Sequence, residues 1–420
     1  MSALLEKPVI ISQFQRVRSQ TEDLCLPLEI EDYQIQPMAD ASPPKWHLAH
    51  VTWFFETFVL AKYSPNYKVL KLDYHHLFNS YYNGVGSPFP RTSRGYLSRP
   101  TVAEIYEYRK RIDERVLDLL RTNSDPELIF RVTLGLHHER QHQELLLTDV
   151  KYNFGNNPLL PAYSKKTKKY TNKLPPQNWM EFEGGVTEIG SDFSSNFAFD
   201  NETPRHKVFL NPFYLSSRLV TNREFLEFIR DDGYERHELW LSDAWANLKN
   251  LGQNRWKFPL YWYEEDEVLF EYTLQGTRQL DLDAPVCHVS AYEADAFSRW
   301  KGARLPTEQE WEFAASGLPV AGNFLGVGNF HPVNASEDKF SSLFGNVWEW
   351  TSSSYSPYPG FSSFEGSLGE YNGKFMSSQL VLKGGSCVSS EDHIRATYRN
   401  FFYPKDRWQF SGIRLAKDML

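Results

Sequence analysis

Apolar side chains recur every three to four positions along three long stretches of the first 155 residues, the spacing that gathers them on one face of an α-helix. The stretches are PPKWHLAHVTWFFETFVLAKY (43–63), SRPTVAEIYEYRKRIDERVLDLLRTN (98–123) and DPELIFRVTLGLHHERQHQELLLTDVKYNF (125–154). Ser42 stands where an N-cap is expected, with prolines tolerated in the first turn behind it. A further helix is expected over residues 10–25, which makes a four-helix arrangement. The pattern then stops. GNNPLLPAYSKKTKKYTNKLPPQN (155–178) has neither helical nor strand periodicity and reads as a solvated linker.

From Trp179 onwards the apolar runs are short, aromatic and punctuated by Gly and turn residues. MEFEGGVTEIGS and HKVFLNPFYLSS are such runs, and VTNREFLEFIRDDG reads as a helix opened by Thr221 and closed by Gly233. SAYEADAFSRWKG is a second helix, and Thr307 with Glu310 gives the capping-box signature of a third. The expected fold is therefore two-domain α+β: a helical bundle over 1–155, a linker over 156–178 and a mixed α/β domain over 179–420. The length of 420 residues alone also favours two cores over one.

Composition narrows the classes. The formal charge of −8 leaves no basic footprint for phosphate, so no nucleic-acid partner is expected. No apolar run is long enough to span a bilayer and no charged n-region precedes an apolar stretch, so no membrane association is expected either. Cys25, Cys287 and Cys387 are odd in number and widely spaced, which excludes a disulfide framework and fits a reducing cytoplasm. The sequence is silent on oligomeric state. Small-molecule chemistry is left.

The strongest chemical signal is HHERQHQE (137–144), inside the last bundle helix. His138 and His142 stand four apart, one turn apart on one face, at the spacing that lets two imidazoles grip one metal. WHLAH (46–50) offers His50 as a third ligand from a facing helix. HERQH also satisfies HExxH, which in a zinc protease makes Glu139 the general base. After Glu144, however, the next glutamate is Glu181, and Gln141 shares the face of His138 better than Glu139 does. An all-histidine set without a carboxylate suits zinc or a non-haem iron that must also hold substrate and oxygen.

These segments resemble the ergothioneine-biosynthetic sulfoxide synthases of the EgtB type, over nearly the whole chain. WHLAHVTWFFE and HHERQHQE look like that family's DinB-like four-helix bundle, and FNSYYNGVG with PRTSRGYLSRPT resembles its cysteine-using branch. NETPRHKV, VTNREFLEF, ARLPTEQEWEFAA, GNVWEWTSS, LKGGS and RNFFYPKDRWQFSGIRLAK are similar to its formylglycine-generating-enzyme-like domain of C-type-lectin type. Formylglycine-generating enzymes use a cysteine pair for copper; Cys387 has no partner nearby in sequence, so that activity is disfavoured.

The resemblance implies an Fe(II)- and O2-dependent enzyme that joins cysteine sulfur to the imidazole C2 of hercynine with S-oxidation. It implies His50, His138 and His142 as iron ligands, Gln141 at the substrate imidazole, and Tyr81 and Tyr82 as catalytic phenols. Arg91 and Arg94 would hold the amino-acid carboxylate; Asn400 and Phe401 would meet the trimethylated substrate. Phe402 stands where γ-glutamylcysteine users carry an acidic residue, which favours free cysteine. His47 and His137 are expected to pack or to support the ligands. The alternatives are an ovothiol-type enzyme acting on histidine, a selenoneine-type synthase, or a non-catalytic metal-binding or sensing protein of the same fold.

Overall fold

The first half folds as its apolar periodicity requires. In the computed structural model, which describes residues 7–165, 174–192, 197–334, 340 and 342–419, four long helices form: α1 (Lys7–Cys25), α2 (Pro44–Phe55), α3 (Val102–Thr122) and α4 (Pro126–Gly155). α1 packs on α3 and α4, and α2 packs on the same two, which closes a four-helix bundle. Thr101 opens α3 in a capping box with Glu104, and the Asp125 side chain accepts from Glu127 N–H ahead of Pro126 in α4. Gly135 is needed for the close approach of α2 to α4: a Cβ there would lie 2.7 Å from Phe55 Cε1.

Two expectations need correction at helix ends. α2 begins at Pro44 with Pro43 at the N-cap and no side-chain cap bond, so Ser42 is not its cap. Proline has no N–H to be capped, and Ser42 is engaged elsewhere: its backbone N–H donates to Asp149 Oδ2 and its Oγ accepts from Arg94. The helix expected to close at Gly233 ends at Arg230, and the left-handed residue is Asp232 (φ 54). Beyond Phe55, α2 continues through a π-helical turn, Glu56–Leu60, which its hydrophobic pattern does not distinguish. The buried Glu56 carboxylate there accepts from Tyr67 Oη, Leu70 N–H and Tyr108 Oη.

The chain divides into two units: Met1–Pro158 with Asp192–Asp200 and Ser362–Lys374, and Leu159–Ser191 with Asn201–Phe361 and Phe375–Leu420. Two short returns from the second half thus belong with the helices. Lys166, Lys168, Lys169 and Lys173 of the expected linker lie outside the described residues.

The second unit mixes short sheets and helices. Its central sheet is made of β1 (Trp348–Ser354), β2 (Leu380–Lys383), β3 (Asn400–Phe402) and β4 (Ser411–Gly412), in the order β3–β2–β1–β4. GNVWEWTSS feeds β1, where Trp348 and Trp350 are buried and Glu349 accepts from Trp311 Nε1 and Arg414 Nε. Capping boxes at Thr221, Ser290 and Thr307 open three of its helices. Among the described residues no helix is long and apolar enough to cross a membrane, and the three cysteines are buried and outside any disulfide.

One buried ion cluster ties three helices together. Glu139 of α4 is fully buried and accepts from Arg109 Nη2 of α3 (2.6 Å) and from Arg18 Nη1 (2.8 Å) and Thr21 Oγ1 (2.6 Å) of α1. Burial by itself would raise its pKa, but Arg109 and Arg18 outweigh it and hold the carboxyl at about 2. The folded-state value lies below the unfolded one. Its stabilisation is therefore complete above pH 4.5 and lost as pH falls toward 2. Glu139→Gln should cost about 3–5 kcal/mol, because two buried guanidiniums lose the fully buried charge they share and keep only the less buried Asp113 and Glu22. Urea unfolding from pH 7 to pH 2 checks both points: the variant should be weaker at pH 7 and should lack this acid limb.

Candidate metal centre

His50 on α2 and His138 and His142 on α4 present ring nitrogens within 4.8 Å of one another, all three buried. Among the described residues this is the one group of three or more His, Cys, Asp or Glu side chains with that geometry. The helical repeat explains it: residues 135, 138, 142 and 149 fall on the face of α4 that meets α2. Glu139, one residue round the helix, falls on the α1 and α3 side. The hydrolytic reading of HERQH fails on this point, because the would-be base is a structural carboxylate held by two arginines.

The outer nitrogens of two ligands are committed. His50 Nδ1 lies 2.6 Å from the Phe78 carbonyl, which can only accept, so Nδ1 carries the proton and Nε2 offers a lone pair. His142 Nδ1 lies 2.9 Å from His47 Nδ1, and His47 Nε2 lies 3.0 Å from Asp149 Oδ2. Asp149 accepts from His47, His47 accepts from His142, and His142 Nε2 is left with its lone pair inward. His50 Nε2 and His138 Nε2 face each other at 3.3 Å, and His138 Nδ1 is buried without a hydrogen-bond partner.

Burial holds His138 down at about 3 and, with the neighbouring imidazoles, holds His50 and His142 well below the ordinary histidine value. All three rings are neutral at pH 7. A trio of converging neutral imidazoles fits a divalent transition metal by its donor chemistry: borderline nitrogen ligands, no carboxylate, and coordination positions left over.

FNSYYNGVG forms the rest of the wall. Asn79 is buried; its Nδ2 donates to the carbonyls of Tyr82 and Gly86, and its Oδ1 accepts from Tyr82 N–H. That stapled loop delivers the Phe78 carbonyl to His50 and stands Tyr82 among Trp53, Phe54 and Phe58. Burial raises both the Tyr81 and Tyr82 phenols above the ordinary value, so both are neutral proton donors. Gly84 meets the returning segment 362–374 so closely that a Cβ would lie 2.5 Å from Ser367 Oγ. Glu370 of that segment accepts from the N–H groups of Asn83 and Gly84.

Arg94 is buried, with its guanidinium 3.4 Å over the Trp46 ring and its donors on Ser42 Oγ and Ser80 Oγ. It forms no ion pair among the described residues, and its Nε has no partner. Trp46 in turn stacks on His50 at 4.6 Å and 10°. Arg91 is exposed, and its Nη2 donates to the Asp40 carbonyl. Gln141 is half-buried between His138 and His142 in sequence.

His137 does not face the cluster; it stacks on Phe197 at 4.1 Å. Asn400, Phe401 and Phe402 lie in the second unit on β3, where alternation sets Asn400 and Phe402 on one face and Phe401 on the other. Phe401 stacks on Tyr355 at 4.1 Å, and Asn400 Oδ1 accepts from Phe401 N–H.

Sequence reasoning missed Trp46, Asp149 and Tyr371. Trp46 lies four residues before His50 and Asp149 seven after His142, so both were on the right helical faces to be found. Tyr371 had no such signal. Its ring meets His138 edge-on at 5.4 Å, and with Phe54, Tyr82, Leu134 and Leu368 it lines a small void beside that histidine.

A DinB superfamily model matches residues 13–146, and a sulfatase-modifying factor enzyme 1-like domain matches residues 165–342 and 326–419. A histidine-bearing DinB-like bundle joined to such a domain defines the class of protein. The hercynine oxygenase of Mycolicibacterium smegmatis is 31% identical over 419 residues, covering 90% of this chain and 91% of that protein. The hercynine oxygenase of Mycobacterium tuberculosis is 28% identical over 404 residues, covering 90% and 91%. A formylglycine-generating enzyme of Streptomyces coelicolor is 28% identical over 285 residues, covering 56% of this chain and 87% of that one. The chain belongs to the EgtB-type hercynine oxygenase family.

Alanine at His138 should lower affinity for Co(II) or Zn(II) by about 100-fold or more, since two nitrogens cannot enclose the ion. Titration calorimetry on metal-stripped protein checks this, with one ion per chain expected for the unsubstituted protein.

Proposed function

We propose that the chain is an Fe(II)- and O2-dependent sulfoxide synthase that joins the sulfur of cysteine to the imidazole C2 of hercynine. The observation that carries the reading is the buried, carboxylate-free histidine trio, in which outer partners leave Nε2 of His50 and of His142 with its lone pair inward, in a chain similar to hercynine oxygenases over nine-tenths of its length. The balance is simple. Hercynine loses its C2–H and cysteine its S–H, a C–S and an S–O bond form, and the second oxygen atom of O2 leaves as water.

His50, His138 and His142 would hold the iron, which when bound supplies the oxygen chemistry that amino-acid side chains lack. The protein's own contribution is orientation and protons. Tyr82, neutral and buried beside His138, can give a proton to the oxygen that becomes water, with the Tyr81 ring tilted against it at 4.7 Å. Gln141, half-buried and between His138 and His142 in sequence, would hydrogen-bond the substrate imidazole.

Arg94 is a buried cation with no direct ion pair among the described residues, its nearby carboxylate Asp149 reaching it only through Ser42, and a substrate carboxylate would supply a direct partner. Arg91 would assist from the surface. In the second unit, Asn400, Phe401 and Phe402 are the proposed contacts for the trimethylated substrate and the thiol donor. An aromatic face suits a quaternary ammonium, and an apolar residue at 402 offers no acidic anchor for a γ-glutamyl amine.

Protein loaded anaerobically with Fe(II), then given hercynine, cysteine and O2, should form a product with the mass of both substrates plus one oxygen atom less two hydrogens. Well-folded, iron-loaded protein that makes no such product would refute the proposal. Histidine and a selenium donor, offered in turn, should be poorer substrates; turnover favouring either would redirect the reading to an ovothiol-type or selenoneine-type enzyme.

Two substitutions separate binding from chemistry. Arg94→Lys should raise KM for cysteine about tenfold with little change in kcat, as the lost fork serves ground state and transition state alike. Tyr82→Phe should lower kcat about 100-fold and leave metal affinity unchanged. Steady-state oxygen uptake together with Co(II) titration reads both.

A further inference from the structure

Two polar side chains behind the histidine trio, His47 and Asp149, form with the Ser42 backbone N–H a directed chain that the reaction as written does not use. His142 Nδ1 meets His47 Nδ1 at 2.9 Å, His47 Nε2 meets Asp149 Oδ2 at 3.0 Å, and the same oxygen accepts the Ser42 N–H at 2.8 Å. His47 is 2% exposed and Asp149 3%. With a carboxylate at one end and one proton on each imidazole, the hydrogen bonds run in one direction: Asp149 accepts, so His47 carries its proton on Nε2 and accepts at Nδ1, so His142 carries its proton on Nδ1. The metal-facing Nε2 of His142 must then be the lone pair.

We propose that Asp149 and His47 are positioning residues that fix the tautomer and ring orientation of His142, and that through Ser42 the same carboxylate indexes Arg94 to the metal ligands. The inference rests on the metal-site reading. His50 needs no such device, because the backbone carbonyl of Phe78 does for it what the relay does for His142. His142 has no backbone acceptor of that kind. It sits on a helix whose carbonyls are taken by the helix itself, so its outer nitrogen must be ordered by side chains. Ser42 gives the relay its second output: Arg94 Nη1 donates to Ser42 Oγ at 2.8 Å, so the residue hydrogen-bonded to Asp149 also seats the guanidinium. Removing outer partners of metal-bound histidines typically weakens metal binding 10- to 100-fold.

The test is Co(II) binding to metal-stripped full-length protein, read by affinity and by the visible spectrum of the bound ion. Asp149→Asn and His47→Gln should each raise the Co(II) Kd about 10- to 100-fold and alter the spectrum. The double variant should be little worse than the poorer single one, because the residues act in series. His137→Gln, a buried histidine outside the chain, should leave both readouts within about twofold of the unsubstituted protein. Should Asp149→Asn fail to fold, His47→Gln carries the same comparison. Tight binding by the unsubstituted protein with Kd and spectrum unchanged in both variants would overturn the relay and leave the metal centre standing. Absence of stoichiometric Co(II) binding by the unsubstituted protein would overturn both.

Discussion

The Glu139 carboxylate, gripped by Arg18 from α1 and Arg109 from α3, fixes how α4 is rotated within the bundle. A charge buried this deeply has one tolerable surrounding, with both oxygens paired, and any rotation of α4 about its axis would unpair them. Once Glu139 and Gln143 are turned toward α1, residues 135, 138, 142 and 149 must face α2. Gly135 then lets Phe55 close in, His138 and His142 meet His50, and Asp149 meets His47. The glutamate of the HExxH pattern matters to the site because it is absent from it.

That dependence explains what could and could not be read from the sequence. The bundle helices follow from their 3.6-residue periodicity, and His50, His138 and His142 follow from helical spacing plus the expectation of a facing helix. Thr221 and Thr307 with their glutamates mark helix starts because capping is local chemistry. Ser42 misled for an equally local reason: an N-cap needs N–H donors just behind it, and prolines at 43 and 44 remove them. The π turn after Phe55 leaves no hydrophobic signature, and Glu56 earns its burial only through Tyr67, Leu70 and Tyr108, which lie 11 to 52 residues away. The segments 192–200 and 362–374 were beyond reach, because short irregular runs carry no period that names a partner. Tyr371 is invisible for that reason.

Electrostatics separates three of the buried arginines of the helical unit, Arg18, Arg109 and Arg94, into two kinds. Arg18 and Arg109 are paired with carboxylates and are structural. Arg94 has only two serine hydroxyls, an aromatic face and an unpartnered Nε. Cation–π attraction and neutral hydrogen bonds offset part of the desolvation of a guanidinium, but not all of it. A protein keeps such an arrangement where an anion completes it. The stacking order Arg94, Trp46, His50 also makes the indole a spacer between that cation and the metal ligand, set by Trp46 lying one turn ahead of His50 on α2.

The same geometry decides where order in the site comes from. His50 is oriented by a backbone carbonyl at the end of a short helix, Tyr74–Leu77, so its position is inherited from the stapled loop that also carries Tyr81 and Tyr82. His142 is oriented by His47, which sits on α2 one turn before His50. A shift of α2 along its axis would therefore disturb both ligands at once, whereas a shift of the 78–86 loop would disturb His50 and the tyrosines together. The proposed metal ligation, proton supply and carboxylate recognition thus converge on α2 and the loop, with α4 as the fixed reference. The clamp on Glu139 can hold that reference without touching the chemistry.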